Sequence, residues 1–143
     1  MPTVESTDGT TIAYDRRGSG PSVVLVGGAF NDRGTVAGLA EALAPSCTAY
    51  TYDRRGRGNS GDSAGGAPSP KREVEDLAAV IAVAGGAAAV IGHSSGGVLA
   101  LRAAAGGAPI SRLAVYEPSY IVPGNPATAL SRPGRPAHRT ADR

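Results

Sequence analysis

The sequence predicts an α/β fold, a mostly parallel sheet with helices on both faces. Three observations carry this expectation. Ser22-Val23-Val24-Leu25-Val26 is a continuous, largely β-branched apolar run, the composition of a strand buried on both sides. Residues 71–84 instead place Val74, Leu77, Val80 and Ile81 at helical spacing, which gives one apolar face. Segments of these two kinds alternate along the chain, as helical crossovers between parallel strands require.

The elements follow in order. Residues 4–7 and 10–14 flank Asp8-Gly9, a two-residue turn signal, and read as a hairpin. Gly18-Ser19-Gly20-Pro21 breaks the chain before the apolar strand 22–26. Gly27 to Asp32 reads as a loop, and 35–44 as a short helix ended by Pro45. Residues 47–53 form the next strand, and 54–70 a long loop rich in Gly, Ser and Pro. The helix 71–84 ends at Gly85-Gly86, and 87–91 is a short buried strand. Residues 98–105 are helical, closed by Gly106-Gly107, and 113–116 form the sixth strand.

A chain of 143 residues is enough for one domain. Aromatics make up 4% with no Trp, so Val, Leu, Ile and Ala must fill the core. The formal charge of +2 is concentrated at the end, where Arg132, Arg135, Arg139 and Arg143 face Asp142 alone. The body is therefore close to neutral and has no basic patch interleaved with aromatics, which argues against a nucleic-acid partner. Cys47 reads as a small buried hydrophobe. Neither a signal peptide nor a membrane-length apolar stretch is visible, so a cytoplasmic location without membrane contact is the expectation. Residues 1–122 read as the folded part. Residues 123–143, with four Pro and four Arg and no apolar periodicity, read as a disordered tail, aberrant sequence in place of a genuine continuation.

One motif carries chemistry. Gly92-His93-Ser94-Ser95-Gly96 follows a short apolar strand and precedes a helix. A serine held on so tight a turn needs small residues two before and two after it, and Gly92 and Gly96 meet that need for Ser94. Ser95 fails the test, because His93 lies two before it. The bland alternative is a flexible helix entry with Ser94 as N-cap. His93 sits beside the candidate nucleophile, but adjacent side chains on such a turn diverge, so it reads as packing rather than as a base. A second pattern, Gly56-Arg57-Gly58-Asn59-Ser60-Gly61, fits a dinucleotide fingerprint. That site needs a helix opening at the glycines, and Asp62 to Pro68 cannot form it.

Taken together, residues 5–122 resemble the α/β-hydrolase superfamily, in particular its small cofactor-free esterase-, lipase- and haloperoxidase-like members. Val23 to Ala29 is similar to that family's third strand and oxyanion loop, with Gly27 where the family usually has His. Asp53-Arg54-Arg55-Gly56-Arg57-Gly58-Asn59-Ser60 is similar to its Asp-x-Arg-Gly-x-Gly-x-Ser segment at every specified position. The resemblance implies an ester or related acyl substrate of small size, Ser94 as nucleophile, and the N–H groups of Ala29 and Ser95 as oxyanion hole. It implies no metal and no organic cofactor. It also implies an acid and then a His after Ser94, where only Glu117, His138 and Asp142 are available. Glu117, after the sixth strand, is the conceivable acid, while His138 lies in Arg-Pro sequence. Against the family pattern the chain is truncated after about the sixth strand. The expectation is an impaired serine hydrolase, or alternatively a non-catalytic remnant or binding module on the same fold. An uncovered sheet edge would favour self-association.

Overall fold

The computed structural model describes residues 1–63 and 69–119. The tail expected at residues 123–143 lies outside the described residues. Six strands form one sheet: β1 (Thr3–Glu5), β2 (Thr11–Gly18), β3 (Ser22–Val26), β4 (Thr48–Tyr52), β5 (Ala88–His93) and β6 (Ile110–Tyr116). Their spatial order is β1-β2-β4-β3-β5-β6. The first two join antiparallel, and β4, β3, β5 and β6 run parallel. Three helices connect the parallel strands: α1 (Ala37–Leu43), α2 (Pro70–Val83) and α3 (Ser95–Ala105).

Each crossover forms for a local reason. Asp32 accepts the Gly34 N–H at 2.9 Å and starts a single 3-10 turn over Arg33–Val36, which leads into α1. The helix expected over 35–44 is therefore shorter, with its first part wound more tightly. Ser69 caps α2 by accepting from the Arg72 N–H, and Pro70 occupies the first helical position, where its missing N–H costs nothing. Leu77, Val80 and Ile81 are buried as their spacing required.

Two apolar layers cover the sheet. On one face Val24, Val26, Tyr50, Tyr52 and Val90 pack with Leu77, Val80 and Ile81 of α2 and Leu99, Ala100 and Ala103 of α3. On the other face Val23, Leu25 and Ala49 meet Ala40 of α1, with Cys47 half-buried at its margin. The hairpin differs from expectation. Its connection runs over five residues, from Ser6 to Thr10, instead of a two-residue turn. The physical reason is the turn chosen: the Gly9 N–H donates to the Ser6 carbonyl, Gly9 takes φ 83°, and the Ser6 N–H closes the loop on the Thr10 carbonyl, while Asp8 accepts from Thr10 N and from Arg55.

Candidate active site

Parallel pairing of β3 with β5 sets Val26 opposite Gly92, so the loop leaving β3 lies beside the turn leaving β5. Ser94 occupies that turn, between the end of β5 and the start of α3. Its backbone is left-handed, with φ 55° and ψ −124°. Such a conformation costs a non-glycine residue about 1–3 kcal/mol and persists only where the surroundings impose it. Here the Ser94 N–H donates to the Tyr116 carbonyl at 2.9 Å, and the Ser94 carbonyl accepts from Gly97 N at 2.9 Å. Ser94 stands at the N-cap position of α3, but its hydroxyl makes no capping bond.

The flanking glycines are forced by contact. A Cβ on Gly92 would come within 2.6 Å of the Gly96 carbonyl oxygen and the Gly97 Cα. One on Gly96 would overlap the carbonyl oxygens of Val26 and Gly27. Strand, loop and helix can approach only because both side chains are absent. Gly28 is less tightly enclosed, its Cβ position 3.3 Å from the Ser94 Cβ. Ala29 follows it and is exposed, while Ser95 is the first residue of α3. α3 therefore begins three residues earlier than its apolar pattern suggested, because the glycines belong to its first turn.

A set of ion pairs braces this end of the sheet. Arg54 donates to Glu73 through two nitrogens, and its Nη1 donates to the Gly27 carbonyl at 3.2 Å and the Ser95 hydroxyl at 2.8 Å. One guanidinium thus ties the β3 loop, the first turn of α3 and α2 together. Asp53 is fully buried and accepts from Arg33, from the Arg33 N–H and from the Asn59 N–H. Arg55 pairs with buried Asp76 and with Asp8, and these carboxylates raise its pKa further. Arg55 in turn holds the Asp8 carboxyl well below the usual carboxylate range. Sequence reasoning singled out the Asp53–Ser60 segment but not Arg54 as its tie to the elbow, since Arg54 occupies an unspecified position of the pattern.

The remaining candidates divide. His93 stacks on Tyr116, ring centroids 5.4 Å apart, and so packs at the strand end as expected. Glu117 is exposed in a left-handed turn after β6 and forms no hydrogen bond with Ser94. The group that does reach the Ser94 hydroxyl is Ser119, whose own hydroxyl lies 2.7 Å away. No spacing signal marked it. His138 and Asp142 lie outside the described residues. Among the described residues no group of three or more His, Cys, Asp or Glu side chains could hold a metal ion. No helix among them is long and apolar enough to cross a membrane.

Comparison with known proteins matches this arrangement. An α/β hydrolase from Sphaerobacter thermophilus is 59% identical, with a TM-score of 0.82 over 86% of this chain and 47% of its own. The bottromycin epimerase BotH, solved with bottromycin A2, is 33% identical with a TM-score of 0.76, over 96% of this chain and 58% of its own. A thermophilic esterase from Thermogutta terrifontis is 25% identical with a TM-score of 0.75, over 88% of this chain and 48% of its own. The chain thus spans about half the length of such structures. No curated protein matches it. The model of the alpha/beta hydrolase family matches residues 23–143, from the third strand through the elbow and beyond. On that match, and on the sheet order and turn geometry it accompanies, the chain belongs to the alpha/beta hydrolase family.

Proposed function

We propose that this chain carries the nucleophile and oxyanion-binding parts of a serine hydrolase acting on an ester or related acyl bond. Ser94 attacks the acyl carbon of a small substrate. The N–H groups of Ala29 and Ser95 hold the oxygen on which negative charge develops. Neither a metal nor an organic cofactor takes part, and the setting is cytoplasmic. The observation that carries the reading is the left-handed backbone of Ser94 at the strand-to-helix junction, closed in by Gly92 and Gly96.

Among the described residues the Ser94 hydroxyl has no activating base as a hydrogen-bond partner. A serine hydroxyl needs a base to become a competent nucleophile. Ser119, its hydrogen-bond partner, cannot serve, being no more basic than Ser94 itself. Glu117 is the candidate acid, and among the described residues no histidine hydrogen-bonds to the Ser94 hydroxyl. Loss of triad members costs several orders of magnitude in rate, with a residue left by oxyanion stabilisation.

A fluorophosphonate probe tests the reading. Wild-type protein is expected to label slowly at a single site, and Ser94→Ala to lose the label. Absence of labelling in folded wild-type protein would overturn it. That outcome would favour the second reading, a non-catalytic binding module, which the Ser94–Ser119 pairing supports.

A further inference from the structure

The geometry points to a carboxylate-binding subsite beside the elbow, with Arg57 as the residue that reads the anion. The substrates would then be acyl compounds bearing a second, free carboxylate, such as monoesters or monoamides of short dicarboxylic acids. This rests on Ser94 as the nucleophile for the identity of the reacting group, though not for binding.

A hollow of about 540 Å³ lies between the segment after β3 and the loop after β4. Its walls are Phe30, Asn31, Asp32 and Thr35 on one side and Arg57 between two glycines on the other. That volume suits a small organic acid. Asn31 links the hollow to the candidate nucleophile: its Nδ2 and the Ser94 Cβ lie 3.4 and 3.3 Å from where a Cβ on Gly28 would sit.

Charge separates Arg57 from its neighbours. Arg33, Arg54 and Arg55 each pair with a carboxylate: Asp53 and Asp15, Glu73, and Asp76 and Asp8 respectively. No carboxylate among the described residues pairs with Arg57, and its Nη1 is closed to solvent without a hydrogen-bond partner. That nitrogen is walled off by protein, so an anion in the hollow would meet the other guanidinium nitrogens of Arg57, whose charge no carboxylate among the described residues offsets. The planar guanidinium fork fits a carboxylate in two-point fashion. Asp32, the carboxylate in the lining, is turned to its own Gly34 N–H. The ligand's carbon chain has a matching surface. Phe30 stands at the rim with φ 67° and is 98% exposed, an aromatic ring that only a further group can cover.

Succinate is the probe, with succinamide as the neutral control, followed by amide chemical shifts in isotope-labelled protein. Wild type and Ser94→Ala are both expected to bind succinate, with shifts at Asn31, Thr35 and Gly58 and none from succinamide. Arg57→Gln should weaken binding about ten-fold or more, and Arg57→Lys less, because it keeps the charge and loses the fork. The same spectra show whether each variant is folded. Equal binding by folded Arg57→Gln, equal response to succinamide, or no binding by wild type would overturn the subsite. Since Ser94→Ala is expected to bind normally, failure here is distinguishable from failure of the nucleophile reading, which labelling alone decides.

Discussion

At the residue scale, the site depends on groups that are absent as much as on those present. Gly96 has no side chain because two carbonyl oxygens occupy its place. Gly96→Ala is expected to cost about 3 kcal/mol in a urea titration, through overpacking against backbone that cannot move. It should also abolish probe labelling at Ser94, since strand, loop and helix must part to admit the methyl group. Tyr52 presents the opposite case. Its ring is core, yet its hydroxyl is buried with no partner among the described residues, and burial pushes its pKa up. Tyr52→Phe removes an unpaired polar atom and keeps the packing, so it is expected to raise stability by about 1 kcal/mol. A loss instead would mean that the hydroxyl has a partner in solution.

At the element scale, arginines join segments that are distant in sequence. Arg55 links the first hairpin to α2 through Asp8 and Asp76. The Asp76 side chain is 2% exposed, so Asp76→Ala leaves a buried guanidinium without its main counter-charge. A loss of about 3–5 kcal/mol is expected, read from the denaturant midpoint. Asp8 adds a pH dependence of definite sign. Its folded pKa is lowered by the Arg55 hydrogen bond, so its contribution is full above the ordinary carboxylate range and fades as pH falls below about 4. Asp8→Asn should flatten the acid limb of stability and leave its slope near neutral pH unchanged. The helix spans were largely legible beforehand: Val74, Leu77, Val80 and Ile81 mark the face of α2 by spacing alone. The start of α3 was not, because three of its first residues are serine and glycine, which carry no helical periodicity.

At the scale of the whole molecule, the described residues leave one part of the sheet uncovered. α2 and α3 close one face, while α1 covers only part of the other. By register Ala89, Ile91 and His93 share that second face with Arg112, Ala114 and Tyr116. Tyr116 is 62% exposed, and among the described residues no strand pairs with the outer edge of β6. Apolar surface beside an open edge favours association. The weight-average mass in sedimentation is expected to rise with concentration, and Tyr116→Lys to reduce that rise. A mass independent of concentration would show that the face is covered by other means.

The sequence by itself determined the kind of fold, the elbow and the family. Each of these rests on local physics: which runs are β-branched, where apolar residues recur, and which turns tolerate no side chain. The Gly92–Gly96 spacing and the Asp53–Ser60 segment are contiguous, so they are read without knowing what lies across from them. Only the tertiary structure decided what meets at the elbow. It set Ser119 against Ser94, Arg54 across Gly27 and Ser95, and Arg57 beside Asn31 with no carboxylate partner among the described residues. Those encounters depend on sheet order and register, which bring β3, β5 and β6 side by side from distant parts of the chain. No spacing within a segment encodes such neighbours, because a contact between segments belongs to the packing of all of them.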